Sequence, residues 1–158
     1  MPGPHKGAFA IRANFNGSSL AAPSTSSSVP ASPSATFGFR YMGTDSVAVD
    51  FDVGLGLGIA SNFAFGFGAG FGVTAFLGSA DKPIRPLVTG SFLFGKGVST
   101  RGDDFTLGIN VGGGAEYWFN DHFSLDGKLL VGLPLNFRAM DVITLGTFMP
   151  GVGANFYF

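Results

Sequence analysis

Large apolar residues alternate with small or polar residues along most of the chain. Between Val53 and Ala80, glycines fall at 54, 56 and 58 and again at 66, 68, 70 and 72, with mostly large apolar side chains between them. A period of two residues is that of a β-strand, whose successive side chains point to opposite faces. A helix would spread these glycines around its circumference at about 1 kcal/mol each relative to Ala. The pattern therefore predicts strands, although this uncharged stretch is long enough for a membrane helix.

The same alternation predicts eight strands, and the charges within them lie on the face opposite the large apolar residues. In a membrane barrel the apolar face meets lipid, where a charge near the midplane costs about 2 to 4 kcal/mol. Because lipid offers no hydrogen bonds to the backbone, such a sheet must close on itself. The chain is therefore predicted to be all-β, a closed antiparallel up-and-down transmembrane β-barrel forming a single domain, 1–158. The predicted strands are 7–15, 35–42, 46–59, 63–77, 87–95, 105–119, 122–133 and 142–158.

Composition agrees with a membrane protein and excludes several classes of function. Charged residues make up 12% of the chain, about half the roughly 25% of ordinary soluble domains. The net charge of −1 provides no basic surface for nucleic acid. The absence of Cys and the presence of only His5 and His122 exclude thiolate chemistry, disulfides and a histidine-rich metal cage. We therefore expect no cofactor, no metal and no nucleic-acid partner.

The connections between the predicted strands suggest an orientation. Residues 16–34 form a low-complexity Ser, Pro and Ala tract, which we interpret as a long outer loop. Bacterial barrels place long loops outside the cell and short turns in the periplasm. The segment Met1–Lys6 lacks the features of a secretory signal, so an exported protein would be represented in its mature form. We expect both termini in the periplasm, outer loops at 16–34, 96–104 and 134–141, and turns at Gly43-Thr44-Asp45 and Asn120-Asp121. Two connections fit less well, 60–62 as a short outer loop and 78–86 as a long inner turn.

Two segments resemble a known family. Residues 112–127, GGGAEYWFNDHFSLDG, resemble the sixth and seventh strands of small OmpA/OmpX-like eight-stranded outer-membrane β-barrels, and the ending 151–158, GVGANFYF, is similar to theirs. The resemblance implies a bacterial outer-membrane location, with outer-membrane lipid and lipopolysaccharide as partners. It also implies that Phe156 and Phe158 form the signal read by the barrel-assembly machinery. Pro150 departs from the pattern, since Pro lacks the ladder donor, and is expected near the outer rim or at a bulge.

The inward face carries three cations and four anions. They are expected to form a structural salt-bridge network that fills the lumen, because buried charges must be paired. The alternative is a gated polar path, which the narrow interior of an eight-stranded barrel disfavours. His122 and Ser124, with Asp126 nearby, resemble the His-x-Ser arrangement of lipid A deacylases, although a turn histidine and an inward serine are the simpler interpretation. The network residues are Arg12, Arg40, Asp50, Asp52, Glu116, Asp126 and Lys128.

Three functions remain open from the sequence. The first is a non-enzymatic, monomeric outer-membrane barrel that anchors surface loops with structural or adhesive roles. The second is a narrow channel or carrier for small or apolar solutes through the lumen. The third is a water-soluble up-and-down barrel with an apolar ligand inside, which requires the Phe, Leu and Val face to point inward.

Overall fold

The computed structural model describes residues 4–15, 35–59, 63–99, 102–136 and 146–158. These residues form strands joined by short turns, and none of the described residues forms a helix long and apolar enough to cross a membrane. The strands are β1 (Phe9–Phe15), β2 (Ala35–Thr44), β3 (Val47–Ile59), β4 (Phe63–Phe76), β5 (Ile84–Ser99), β6 (Gly102–Trp118), β7 (Phe123–Asn136) and β8 (Gly146–Tyr157).

The eight strands form a closed barrel in chain order. Each strand pairs antiparallel with the next, and β1 pairs antiparallel with β8, so that Arg12 lies opposite Gly38 on one side and Asn155 on the other. The turns at 45–46, 77–83 and 119–122 lie at the same end as both chain termini, which we call the turn end. The opposite end, where 16–34 joins β1 to β2, is called the loop end. The predicted all-β, closed antiparallel barrel is confirmed.

The alternation of side chains separates the inside of the barrel from its outside. Large apolar residues on every strand point outward, and Leu55 (72%), Val111 (58%) and Phe156 (51%) retain large exposed fractions. Polar and charged residues between them are buried, among them Arg12 and Glu116. The hypothesis of a soluble barrel with an apolar interior is therefore wrong for the described strands, because their large apolar face points outward.

The strand boundaries differ from the prediction mainly in β5 and β6. The predicted outer loop 96–104 is wrong, because β5 continues to Ser99 and β6 begins at Gly102. The predicted inner turn 78–86 is too long, because β5 already begins at Ile84. These two strands pair without interruption from Ile84 opposite Tyr117 to Ser99 opposite Gly102. The glycines and charges of these segments resemble a loop in the sequence. The hydrogen bonds between β5 and β6 join backbone groups, so they do not depend on these side chains.

Two irregularities in the ladder mark further differences. The first turn is at Asp45 and Ser46 rather than at 43–45, and the pairing shifts between Met42 and Thr44, which leaves Gly43 as the extra residue of a bulge. A second shift separates Leu130 from Gly132 in the pairing of β7 with β8. It lies next to Pro150, which pairs with Leu129 and points outward. A bulge beside Pro150 agrees with the missing backbone donor of proline.

Several predicted features lie outside the described residues. They are the outer loop 16–34, the connection 60–62 and the part 137–141 of the predicted outer loop 134–141. Residues 134–136 of that predicted loop belong instead to β7, which ends at Asn136.

Candidate functional site in the barrel lumen

The seven charged residues predicted to face inward all lie in the barrel interior. Seven strands carry them or their hydrogen-bond partners, and we call the charged set the lumen network. It comprises Arg12 on β1, Arg40 on β2, Asp50 and Asp52 on β3, Glu116 on β6, and Asp126 and Lys128 on β7.

Asp50 is the carboxylate that binds two guanidinium groups. Arg40 donates to both of its oxygens, from Nε at 2.6 Å and from Nη2 at 3.0 Å. Nη1 of Arg12 lies 2.7 Å from Oδ2, and the hydroxyl of Thr74 donates to the same oxygen at 2.7 Å. A bidentate guanidinium contact is among the strongest and most directional pairings of side chains. Asp50 thereby connects β1, β2 and β4 through side chains alone.

Glu116 extends the network across the barrel. Its Oε2 lies 2.6 Å from Nη1 of Arg40, so this contact joins β2 to β6. Its Oε1 accepts hydrogen bonds from the hydroxyls of Tyr157, at 2.9 Å, and Ser124, and from Nδ2 of Asn155 at 3.3 Å. Both Arg40 and Glu116 are completely buried. A fully buried carboxylate is stable only when a cation and hydrogen-bond donors contact it in this way.

The remaining carboxylates differ in how well they are paired. Asp126 accepts from Nδ2 of Asn155 at 2.9 Å and lies 2.9 Å from Nζ of Lys128. Asp52 accepts from Nδ2 of Asn14 at 2.9 Å, but Nε of Arg12 lies 3.5 Å away. Both contacts of Asp52 use Oδ1, and its side chain is 22% exposed. Asp52 is therefore the least compensated carboxylate of the lumen network.

Glycines on the inner wall allow charged residues on non-adjacent strands to meet. Gly38 on β2 lies between Arg12 on β1 and Asp52 on β3 in the ladder. A Cβ at Gly38 would lie 2.2 Å from the carbonyl oxygen of Phe51 and 2.3 Å from Oδ1 of Asp52. Gly153 on β8 has the same position between β1 and β7, where a Cβ would lie 2.5 Å from Oδ2 of Asp126. The contacts across these strands require the absence of a side chain.

An apolar cluster closes the interior at the turn end. The Phe76 and Trp118 rings pack with centroids 5.4 Å apart. The guanidinium of Arg85 lies 4.9 Å from the Phe76 centroid and 5.7 Å from that of Trp118, and it donates to the carbonyl of Asp45 at 2.9 Å. Arg40 lies 5.5 Å from the centroid of the same Phe76 ring. We call the buried cluster together with Arg85 the plug, and its apolar members are Ala10, Met42, Ala48, Phe76, Leu87, Trp118 and Tyr157.

Among the described residues, Arg85 is a charged lumen residue that the sequence prediction missed. It was assigned to the predicted turn 78–86, because the glycine, prolines and charges of that segment are typical of a turn. The alternation of side chains does indicate its position, because Arg85 lies two residues before the inward-facing Leu87 on β5 and therefore shares its face. The charge pattern alone does not assign the uncharged partners to the network, although Ser124 is expected to face inward and the others share that parity. These partners are Asn14, Thr74, Ser124, Asn155 and Tyr157.

A small chamber lies beside the lumen network. Its volume is about 60 Å³, which is several times the space that one water molecule needs. Arg12, Asp52 and Lys128 line it from one side, and Leu93 and Asn110 are among the residues that line it elsewhere. The chamber is a part of the lumen that the side chains of the described residues leave unfilled.

The structure does not bring His122 and Ser124 together as a nucleophile and its base. Ser124 donates to Glu116 and accepts from Asn155, whereas Nδ1 of His122 lies 3.0 Å from the carbonyl oxygen of Tyr157 at the turn end. Among the described residues, no three His, Cys, Asp or Glu side chains are grouped in a way that could hold a metal ion. The described lumen side chains instead form ion pairs and hydrogen bonds with one another.

Comparison with solved structures identifies proteins of the same architecture. The N-terminal β-barrel domain of Pseudomonas aeruginosa OprF matches with a TM-score of 0.65 and 16% identity, over 97% of this chain and 98% of that one. Outer membrane protein W of E. coli matches with a TM-score of 0.56 and 13% identity, over 98% and 99%. No protein-family model and no curated protein matches the sequence. The chain thus has the closed eight-stranded β-barrel fold of these outer-membrane proteins.

Proposed function

We propose that this protein is a non-enzymatic outer-membrane barrel that anchors surface-exposed segments. The observation that carries the proposal is the occupied lumen, in which the lumen network joins strands on opposite sides and the plug closes the turn end. A barrel filled in this way is a rigid support rather than a wide passage. Eight strands enclose an interior that side chains can fill.

The outer surface supports insertion into a membrane. Aromatic side chains gather around the turn end, where the ring pairs Tyr117–Phe119, Phe119–Phe123 and Phe156–Phe158 have centroids 4.7, 5.5 and 5.5 Å apart. Girdles of aromatic residues mark the interface between lipid and water in membrane barrels. Outer-membrane lipid and lipopolysaccharide are accordingly the proposed partners of the outward face, and the barrel-assembly machinery is the proposed reader of Phe156 and Phe158. The protein is proposed to act as a monomer.

The lengths of the connections support a periplasmic turn end. Its turns, 45–46, 77–83 and 119–122, contain two to seven residues. At the loop end the two longest connections, 16–34 and 137–145, contain nineteen and nine residues, and the other two contain three and two. Bacterial barrels have short periplasmic turns and longer extracellular loops. The termini are therefore proposed to lie in the periplasm, and 16–34 is proposed to form part of the working surface outside the cell.

Labelling of single cysteines on intact bacteria tests this arrangement, because the chain has no native Cys. Ser26→Cys, within 16–34, is expected to react with a membrane-impermeant maleimide on whole cells. Lys82→Cys, in an exposed turn at the turn end, is the matched control and is expected to react only after the outer membrane is permeabilised. Labelling of Lys82→Cys on intact cells, or protection of Ser26→Cys until permeabilisation, would overturn the proposed anchor function.

A further inference from the structure

The inner wall changes character between the lumen network and the loop end. On β3 to β7, the inward positions in this region are mostly glycines, among them Gly54, Gly68, Gly108 and Gly132, which are buried. The large side chains that the structure describes there are Leu93 and Leu130, each less than one-tenth exposed. Where the structure describes side chains, this part of the lumen is therefore walled by glycine backbone and by these two leucines, and it leads to the chamber.

The charges that face the chamber do not balance. Of the charged residues that line it, Arg12 and Lys128 are positive, whereas Asp50, Asp52 and Asp126 are negative. Arg40 and Glu116 lie outside the lining and add one charge of each sign. The fourth buried cation, Arg85, belongs to the plug, where its guanidinium lies against the Phe76 and Trp118 rings. The lumen network around the chamber thus has one negative charge in excess.

Asp52 is the carboxylate to which this excess negative charge is best assigned. Its side chain is 22% exposed, whereas those of Asp50 and Asp126 are 6% and 1% exposed. Asp52 also lines the chamber directly, and the nearest guanidinium nitrogen is 3.5 Å from its Oδ1. In an interior of low dielectric, a carboxylate with so little compensation attracts a cation strongly.

An apolar surface lies beside this carboxylate. Gly70 is the ladder partner of both Asp52 on β3 and Leu93 on β5. A Cβ built on Gly70 would lie 2.8 Å from Cδ2 of Leu93 and 4.0 Å from Cβ of Asp52. The Leu93 side chain therefore covers the backbone of Gly70, and its methyl groups lie beside the Asp52 side chain. A molecule with a positive head and a short apolar tail matches this arrangement.

We propose that the chamber is a binding site for a small organic cation, a primary ammonium group with a short alkyl chain. The ammonium group pairs with Asp52, and the chain lies against Leu93. Because the plug closes the turn end, the ligand enters from the loop end and leaves by the same route. The barrel thereby holds the ligand without conducting it, so the site is independent of the role of the surface segments.

Titration of the full chain, refolded in detergent micelles, with n-butylammonium chloride tests the proposal. Calorimetry and the backbone amide shifts of Gly70 and Leu93 are expected to show saturable binding. Asp52→Asn keeps the size of the side chain and an acceptor for Asn14, and it is expected to weaken binding at least tenfold. n-Butanol has a similar shape without the charge and is expected to bind at least tenfold more weakly. Asp81→Asn, in an exposed turn, is the matched control and should leave the affinity unchanged.

A second variant separates the site from effects on folding. Leu93→Trp fills the apolar side of the chamber and leaves every charge of the lumen network in place, so it should also weaken butylammonium binding at least tenfold. Dispersed amide spectra for both variants establish that the barrel is folded. The proposal is wrong if wild type shows no saturable binding, if n-butanol binds equally well, or if either folded variant keeps the wild-type affinity.

Discussion

At the scale of single residues, Asp50 shows why charges can occupy this lumen. It accepts from Arg40 through both oxygens, from Arg12 and from Thr74, so four donors replace the water that the carboxylate loses. Such a pairing offsets the cost of burial without guaranteeing a net gain in stability. Loss of one partner, however, leaves the others buried without a compensating charge. The lumen network is therefore sensitive to single substitutions.

Asp50→Asn is expected to destabilise the barrel by about 3 to 5 kcal/mol, the usual cost of removing one partner from a buried pair. The guanidinium groups of Arg12 and Arg40 would lose the charge that compensates both of them. Urea unfolding in lipid vesicles, followed by tryptophan fluorescence of Trp118, measures the free energy of unfolding. Asp81→Asn, on the exposed 77–83 turn, is expected to change it by no more than about 0.5 kcal/mol. Equal effects of the two substitutions would contradict the importance of the pairing.

Two glycines of opposite orientation give a second prediction at the residue scale. Gly38→Ala places a Cβ against the carbonyl of Phe51 and the carboxylate of Asp52, and it should destabilise the barrel by about 1 to 3 kcal/mol through overpacking. Gly127→Ala places its Cβ where no atom lies within 4 Å, so a change within about 0.5 kcal/mol is expected. The same unfolding assay compares them. A Gly38→Ala barrel as stable as the Gly127→Ala barrel would show that Gly38 is not required for the contact of Arg12 with β3.

At the scale of the strands, alternation was sufficient to predict most of the barrel. Val47, Val49, Phe51 and Val53 on β3 show it plainly, because aliphatic and aromatic residues alternate with Asp50 and Asp52. The strand count, the closure and the face of each large side chain all follow from this pattern. Contacts between residues far apart in the chain, such as Arg40 with Glu116, require the register of the closed barrel. The sequence contains no local signal for them.

The ends of β5 and β6 show where alternation fails. The inward positions toward the loop end are largely small, and Pro86 follows Arg85 at the turn end, so the segments resemble loops. Main-chain pairing between β5 and β6 nevertheless continues over the whole hairpin. Because such pairing uses backbone groups, it leaves little trace in side-chain hydropathy. The same reason explains why the role of Arg85 is missed. Arg85 lies within the predicted turn 78–86, so the prediction assigns it to no strand face.

A charge placed on the outward face tests the orientation of the strands. Val111 points outward near the middle of β6, so Val111→Lys is expected to destabilise the barrel in lipid by about 2 to 4 kcal/mol. Leu77→Lys also points outward but follows β4 at the turn end, where a cost of about 0 to 1 kcal/mol is expected. Unfolding in vesicles measures both values. Equal costs at the two depths would contradict a lipid-facing belt.

At the scale of the whole molecule, closure brings the two ends of the chain together. The backbone amide of Phe158 donates to the carbonyl of Phe9 at 2.8 Å, and the rings of Phe156 and Phe158 are exposed on the outside. These rings are therefore available to another protein until the barrel lies in lipid. This arrangement is compatible with the proposed role of the two residues in assembly.

Phe158→Ala is expected to lower the amount of barrel inserted into the outer membrane of living cells several-fold. Its ring is two-thirds exposed, so the same variant should refold in detergent with nearly the wild-type yield. Quantification of membrane-inserted protein beside refolding yield separates recognition from stability. Leu77→Ala, another exposed apolar residue at the turn end, serves as the control. Equal insertion of Phe158→Ala and wild type would remove Phe158 from the proposed signal.

The conductance of the wild-type barrel in planar lipid bilayers tests most directly whether the lumen is closed. The lumen network joins β2 to β6 through Arg40 and Glu116, and the plug seals the turn end with Phe76, Trp118 and Arg85. With insertion verified by protection of the strands from added protease, we predict no steady unitary currents. Reproducible unitary currents from the inserted wild-type protein would contradict a closed lumen and would favour a channel.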